Sequence, residues 1–243
     1  MTTGRRHGVA RTLSRLGLAS RTVAAGWVLE GRVTVNGHLV RDPEHPVLTR
    51  DHLTVDGRPV APTERLYLML NKPRGLVTTA ADPQGRDTVY RCFDSAGLPW
   101  LAPVGRLDKA SEGLLLFTND SAWAARITAA ESGPDKTYHV QVDTQPAKEQ
   151  LAQLVAGIDV DGERLAAKSV QLLRAGEKNA WLAIVLAEGR NRHIRRLLEA
   201  HDIAVLRLIR VAIGELALGE LPKGQWRRLT GSEAAALAAT SSE

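Results

Sequence analysis

The chain has 243 residues, of which 44% are hydrophobic and 24% are charged, as expected for a globular protein with one large domain or two smaller ones. No run of about 18 apolar residues occurs, so no membrane span is predicted, and residues 1–10 lack the apolar stretch of a signal peptide. The single cysteine, Cys92, excludes an intramolecular disulfide and a multi-cysteine zinc site, and it fits a reducing cytoplasm.

The positive charge is concentrated at the front of the chain. Residues 1–60 hold nine arginines, no lysine and five acidic residues, a net charge of +4, whereas the remainder carries +1 of the total of +5. A basic front segment beside a near-neutral body indicates a module that binds a polyanion. The alternative is a basic surface that serves only solubility.

The front segment predicts two helices followed by a small sheet. Val9–Leu16 and Arg21–Glu30 are typical of helices, and each is followed by a glycine that favours a helix end. Asn36-Gly37 lies between apolar-rich flanks, which is a strong hairpin signal. Another strand and turn are predicted at 51–57. Arg58–Glu64 contains two prolines and is interpreted as the linker to the next domain.

The motifs LSRLGLASR, GRVTVNG and DHLTVDG in this segment resemble the S4 RNA-binding domain over residues 8–58. An S4 domain supplies affinity and placement on RNA but no chemistry. The resemblance implies RNA contacts by Arg11, Arg15, Ser20, Arg21 and Arg32.

Residues 103–120 (PVGRLDKASEGLLLFTND) place a carboxylate, Asp108, on a loop ahead of a short apolar run. The run at 114–117 predicts a fully buried strand. A positioned carboxylate that keeps its charge can act as a nucleophile, whereas a turn aspartate in a surface ion pair is the alternative. The stretch resembles the GRLDxx[ST]xGLLLxTND signature of the RsuA family of ribosomal pseudouridine synthases, with Ser111 at the hydroxyl position. The resemblance implies that Asp108 is the catalytic nucleophile.

Two further stretches resemble motifs of the same family. Residues 71–75 (NKPRG) follow a predicted buried strand at 66–70 and resemble NKPxG. At this strand end Lys72 is well placed to contact phosphate, although a solvated basic loop is the alternative for its neighbour Arg74. In Lys136–Val142 the alternation puts Lys136 and Tyr138 on the buried face of a strand. A buried tyrosine is ordinary core behaviour, but the KxY resemblance implies that Tyr138 packs on the target base.

Residues 188–198 (EGRNRHIRRLL) predict a strand that gives way to a helix whose apolar residues face inward. The arginines indicate nearby anions, or else a solvated basic face, and Arg192 is expected to share a helix face with Arg195. The stretch resembles the family motif EGRNRx[IV][RK]R, with His193 where the family often has Gln. The resemblance implies that Arg195 forms an ion pair with Asp108, and Arg190 is the second choice.

The resemblances span nearly the whole chain and imply an α+β protein. We expect a small S4 (αL-like) domain at residues 1–60 and a catalytic domain at 61–243 with a long central mixed, mainly antiparallel sheet flanked by helices. The predicted catalytic residues are Asp108, Tyr138 and Arg195, and the predicted RNA contacts of the catalytic domain are Lys72, Arg106, Arg190 and Arg192.

The expected activity is isomerisation of a specific uridine to pseudouridine in ribosomal RNA. The GRNRxxRR form resembles the members that act on large-subunit RNA. The alternatives are a small-subunit target and a non-catalytic RNA-binding or ribosome-assembly protein. The family needs no metal and no cofactor, and the sequence has neither a clustered His/Cys set nor a phosphate-binding glycine loop. We expect a cytoplasmic monomer whose partner is ribosomal RNA, with no membrane association.

Overall fold

The structure is a computed structural model that describes residues 6–61, 63–94, 96–130 and 132–239. Part of the segment on which the predicted lack of a signal peptide rests, residues 1–5, lies outside these ranges. The described residues divide into two compact units. The first contains residues 6–67, 96–102 and 117–121, and the second contains 68–94, 103–116 and 122–239.

The first unit consists of two short helices and small antiparallel sheets, as the sequence predicts. The elements of this unit are β1 (His7–Gly8), α1 (Val9–Arg15), α2 (Arg21–Leu29), β2 (Val33–Val35), β3 (His38–Val40), β4 (Pro46–Val47), β5 (Leu53–Val55) and β6 (Arg58–Pro59). One sheet has the strand order β3-β2-β5-β6, and β1 pairs with β4. The apolar side chains of the two helices and of the strands form one buried cluster.

Local sequence explains the ends of these elements. Ser20 caps α2, because its hydroxyl oxygen accepts a hydrogen bond of 3.1 Å from the Val23 amide. Asn36 and Gly37 both adopt left-handed conformations, with φ of 51° and 82°, which is the geometry of a tight two-residue hairpin. The two predicted helices and the predicted hairpin are therefore confirmed.

The predicted linker is more ordered than expected. Arg58–Pro59 pairs with β5 as an edge strand, where a proline needs no backbone donor. The amide of Thr63 donates to the Leu16 carbonyl at 3.1 Å, and that of Leu66 donates to the side-chain oxygen of Asn119 at 2.9 Å. The expectation that residues 58–64 lack regular structure is wrong for the first two residues.

The second unit is built on a mixed, mainly antiparallel sheet, which confirms the predicted α+β class. The elements of this part of the chain are β7 (Tyr67–Lys72), a 3-10 helix (Val89–Phe93), β8 (Ala102–Val104), β9 (Glu112–Thr118), α3 (Ser121–Thr128), β10 (Lys136–Val142), α4 (Lys148–Ala156), β11 (Ile158–Val160), β12 (Glu163–Leu165), β13 (Ser169–Ala175), β14 (Ala180–Leu186), α5 (His193–Glu199), β15 (Val205–Ile213), β16 (Leu216–Ala217), β17 (Trp226–Arg228) and α6 (Gly231–Ala238). The strand order is β13-β14-β10-β15-β9-β7-β17, with β16 beside β15 and β8 beside β9. The pair β15–β9 is parallel.

Burial in this unit follows the hydrophobic pattern. Every residue of β9 is buried, and β10 alternates between buried and half-buried positions, so both predictions are confirmed. The predicted inward face of α5 is buried too. Arg192, however, precedes α5 in a left-handed conformation with φ of 49°, so the expectation that it shares a helix face with Arg195 is wrong. Among the described residues, no helix has the length and apolarity to cross a membrane.

Candidate active site

The three residues predicted to be catalytic lie around one cavity of the second unit. The cavity has a volume of about 260 Å³, and Asp108, Tyr138 and Arg195 all line it. The loop before β9, the buried face of β10 and β15, and the start of α5 supply its walls. The sequence motifs, which are far apart along the chain, therefore meet at a single site.

The backbone of the loop that carries Asp108 is held by a buried lysine. Lys72 is 0% exposed, and its ammonium donates to the carbonyl oxygens of Ser111 at 2.8 Å, Pro73 at 3.1 Å and Asp108 at 3.2 Å. Burial lowers the pKa of Lys72 to about 8, although the charge of Asp108 opposes this shift. A phosphate of RNA has no access to this ammonium, so the prediction that Lys72 contacts RNA is wrong. Lys72 instead positions the loop.

A second constraint on this loop comes from the strand that follows it. Gly113 adopts φ of 101° and pairs with Arg210 of β15. A Cβ atom at Gly113 would lie 2.2 Å from the carbonyl oxygen of Arg210, so no other residue fits without moving backbone. The threonine hydroxyl of Thr78 also donates to the Leu107 carbonyl at 2.7 Å. The carboxylate of Asp108 itself is exposed and has no hydrogen-bond or ion-pair partner within the described chain.

The wall opposite this loop contains Tyr138. Its side chain is 7% exposed and lines the cavity from the centre of β10. Antiparallel pairing places it beside Ile184 of β14 and Arg210 of β15. An aromatic ring at this position can stack on a flat base that enters the cavity.

The predicted ion pair between Arg195 and Asp108 is not formed. Across the described ranges no ion pair of 4.0 Å or less joins these residues, and the closest polar contact of Arg195 is a 3.5 Å hydrogen bond to the Val205 carbonyl. The Nε atom of Arg195 is buried and has no partner there. Burial and the neighbouring Arg192 lower the pKa of Arg195, and Asp108 opposes this effect through space. The two charges therefore interact across the cavity without touching.

The other predicted RNA contacts of this unit also line the cavity. Arg106 and Arg192 are exposed. Arg190 lies at its edge and is engaged by carboxylates, Glu188 at 2.7 Å and Glu163 at 3.3 Å. Arg106 and Arg192 are thus free to meet phosphate groups, whereas Arg190 already has anionic partners.

Three titratable residues that line the cavity were not identified as site residues from the sequence. Lys136 and Arg210 are 8% and 5% exposed, and His193 is 3% exposed with neither ring nitrogen hydrogen-bonded within the described chain. Burial lowers the pKa of His193, which favours the neutral ring. The alternation along Lys136–Val142 was an available signal for Lys136.

The five predicted RNA contacts of the first unit differ in their accessibility. Arg11 and Arg15 are exposed on α1, and Arg15 contacts the His7 ring at 2.7 Å. Arg21 is paired with Glu44 at 2.8 Å. Arg32 forms two hydrogen bonds to Asp56, of 2.9 and 2.7 Å, and lies over the Trp27 ring. The hydroxyl of Ser20 serves as the cap of α2.

Side chains that could bind a metal ion are not clustered among the described residues. In the part of the chain that the structure describes, no group of three or more His, Cys, Asp or Glu side chains is arranged to hold a metal ion. The charged groups of the cavity are six cations, Arg106, Lys136, Arg190, Arg192, Arg195 and Arg210, and the carboxylate of Asp108.

Comparison with known proteins identifies both units. The family described as RNA pseudouridylate synthase matches residues 66–200, and the S4 domain family matches residues 9–53. A relative from Aquifex aeolicus named as an RNA pseudouridine synthase is 37% identical, with 94% of this chain and 92% of the relative covered. A Bacillus subtilis relative named ribosomal large subunit pseudouridine synthase B is 35% identical, with 92% of both covered.

A solved structure extends this likeness to three dimensions. A crystal structure of a pseudouridylate synthase superimposes with a TM-score of 0.66 at 30% identity, and the match covers 95% of this chain and 99% of that one. A Pseudomonas aeruginosa relative, also named large subunit synthase B, is 36% identical over 90% of this chain and 58% of its own. The chain belongs to the RNA pseudouridine synthase family and carries an S4 domain ahead of its catalytic domain.

Proposed function

We propose that this protein converts a uridine of large-subunit ribosomal RNA to pseudouridine, with Asp108 as the nucleophile. The observation that carries the proposal is the unpartnered carboxylate of Asp108 in a cavity lined by six cationic side chains. Membership of the family supports the reaction, and the names of the Bacillus and Pseudomonas relatives support the large-subunit target.

The environment of Asp108 suits a nucleophile. Lys72 and the turn around it fix the backbone of the loop, while the carboxylate faces the cavity without a competing donor. In the proposed reaction this oxygen attacks C1′ of the target nucleotide as the C1′–N1 bond breaks. A nucleophile that is already in position lowers the entropy cost of bringing the two reacting groups together.

Tyr138 and Arg195 act on either side of the nucleophile. The ring of Tyr138 stacks on the uracil after the nucleotide has left its helix. Arg195 and Asp108 line the same cavity, and we propose that the buried Nε atom of Arg195 finds a partner when RNA is bound. The exposed Arg106 and Arg192 contact phosphates flanking the target.

The S4 domain holds the RNA. Arg11 and Arg15 are exposed on α1, and we propose that they contact RNA and that Arg21, Arg32 and Ser20 contribute where their internal partners allow. We further propose that the protein acts as a monomer in the cytoplasm, where its ribosomal substrate is assembled. Light scattering of the purified protein measures the oligomeric state, and a dimer would contradict this part of the proposal.

The nucleophile is tested with Asp108→Asn, which keeps the size of the side chain and removes its charge. RNA labelled with tritium at C5 of uridine releases tritium only when the C5–H bond is broken, so release without strand cleavage reports isomerisation. Asp108→Asn should retain RNA affinity and lose release. Asp159→Asn, an exposed change on the β11 strand, is the matched control and should keep full activity. Full activity of Asp108→Asn would end the assignment.

The target is tested by mapping pseudouridines in ribosomal RNA from cells with and without the gene. A site in large-subunit RNA that disappears with the gene and returns with the wild-type gene supports the proposal. Loss of a small-subunit site instead would redirect it. Unchanged RNA modification together with intact RNA binding would favour the non-catalytic alternative.

A further inference from the structure

Two buried cations form the floor of the cavity. Lys136 and Arg210 lie on the neighbouring antiparallel strands β10 and β15, on the face that also carries Tyr138. They are 8% and 5% exposed, whereas the cations Arg106 and Arg192 are exposed at the same cavity. The cavity therefore has solvent-exposed cations and a separate pair of buried ones.

The protein does not neutralise this buried pair. Lys136 donates to the Ala187 carbonyl at 3.5 Å, and the Nε atom of Arg210 donates to the Leu114 carbonyl at 2.7 Å. The Nη2 atom of Arg210 is buried without a partner, and within the described ranges neither residue has a carboxylate at ion-pair distance. Burying cations without a counter-charge is costly, so an anionic group is expected to complete this floor during function.

The electrostatic situation of the pair leads to the same expectation. Burial lowers the pKa of Lys136, and the positive charge of Arg210 lowers it further. The two cations repel each other unless negative charge is placed between them. A pair of buried cations of this kind binds an anionic group more strongly than a neutral one.

RNA can offer two kinds of negative charge, on a backbone phosphate or on a base, and the position of Lys136 and Arg210 favours one of them. The exposed Arg106 and Arg192 at the cavity are the cations that we expect backbone phosphates to meet. We expect the base of an extruded nucleotide to reach the buried face beside Tyr138. We therefore expect the negative charge that Lys136 and Arg210 meet to form on the base.

We propose that Lys136 and Arg210 stabilise the uracil anion that forms when the C1′–N1 bond breaks. This role rests on the proposed function. The electron pair of the bond stays with the base and spreads onto its two carbonyl oxygens, which accept hydrogen bonds from the two cations, while the Asp108 oxygen bonds to C1′. After the base has turned, its electrons form the C5–C1′ bond and Asp108 leaves as a carboxylate. C5 then releases its hydrogen as a proton to water, and N1 takes up a proton from water to give neutral pseudouridine. Charge is conserved throughout, and no oxidant or reductant is required.

The test compares uridine with 5-fluorouridine at the target position of the RNA. Fluorine withdraws electrons and so stabilises the uracil anion, which then depends less on stabilisation by the enzyme. Loss of the N1-linked nucleoside is followed under single-turnover conditions by digestion and mass spectrometry. Lys136→Met should slow cleavage of uridine on the order of 10²-fold. Its effect on 5-fluorouridine should be at least tenfold smaller, with RNA affinity unchanged. Lys178→Met, in the exposed turn before β14, is the control and should affect neither substrate.

Conservative variants keep the test decisive if the methionine variant folds poorly. Lys136→Arg and Arg210→Lys retain positive charge and should recover much of the uridine rate. Equal losses on both substrates, or a loss confined to RNA affinity, would overturn the proposed role, and the second result would indicate phosphate binding instead. A wild-type enzyme that fails to release tritium from uridine would refute the proposed function itself, which is a separate outcome.

Discussion

Replacing Lys72 by methionine separates the positioning of the catalytic loop from the stability of the fold. Methionine fills a similar volume but removes the donor from three carbonyls, of which only that of Ser111, bonded at 2.8 Å, lies in a fully buried contact. An unsatisfied buried acceptor costs about 1–3 kcal/mol. Against this, the pKa of Lys72 is lowered from 10.5 to about 8, so the ammonium itself is disfavoured by burial by roughly 3 kcal/mol. The two effects nearly cancel at neutral pH.

We therefore expect Lys72→Met to change the free energy of unfolding by less than about 2 kcal/mol at pH 7 but to lower kcat on the order of 10²-fold. The reason for the loss of rate is that the Asp108 backbone loses its anchor. Urea denaturation measures the first quantity and tritium release the second. Lys109→Met removes an exposed charge from the same loop and should keep most of the activity.

The pH dependence provides an independent check of the buried ammonium. Because the folded-state pKa of Lys72 lies below its ordinary value, the unfolded chain binds more protons between pH 8 and 10.5. The stability of the wild type relative to Lys72→Met should therefore rise across this window by up to about 3 kcal/mol. A difference that stays flat, or a methionine variant with full kcat, would refute the reasoning.

Other predictions concern backbone space, acid stability and RNA affinity. Gly113→Ala and Gly75→Ala both force alanine to φ of 101°, but a Cβ at Gly113 meets the Arg210 carbonyl at 2.2 Å while one at Gly75 has no neighbour within 4 Å. By urea denaturation Gly75→Ala should cost about 1–2 kcal/mol and Gly113→Ala clearly more, and equal costs would contradict the close approach. The pKa of Glu112 is lowered to about 2 by hydrogen bonds and charge from Arg207 and Lys223, so wild-type stability should fall as pH drops from 4.5 to 2, by at most about 3 kcal/mol. Glu112→Gln should flatten that fall, and an unchanged acid profile would argue against the pairing. Arg11→Gln should reduce the slope of log K against log salt by about one without changing stability, and an unchanged slope would remove it from the RNA contacts.

Much of this fold is visible in local sequence because local rules decide it. The buried run of β9, the alternation of β10 and the Asn-Gly hairpin depend on residues close together in the chain, and the structure has all three. The family-like motifs also identify residues that meet at one cavity. Their exact contacts were less predictable, since a motif specifies residue types without specifying which atoms touch.

Lys72 and Arg195 show what local reasoning misses. A lysine at a strand end is usually solvated, and only the arrangement of three carbonyl groups from a distant loop explains why this one is buried. The distance between Arg195 and Asp108 depends on how α5 packs, which no local pattern encodes. The two prolines of Arg58–Glu64 predict a linker without regular structure, yet Arg58–Pro59 pairs at a sheet edge, where proline needs no backbone donor.

The parallel pairing of β9 with β15 has a consequence for folding during synthesis of the protein. Arg210 contacts the Leu114 carbonyl across 96 positions of sequence, and β9 carries the loop of Asp108 on its leading end. A ribosome making this chain releases the loop of Asp108 long before the strand that pairs with β9 has been translated. The nascent polypeptide thus holds the proposed nucleophile without a pocket, and the cavity is completed late, when a contact of high sequence separation forms.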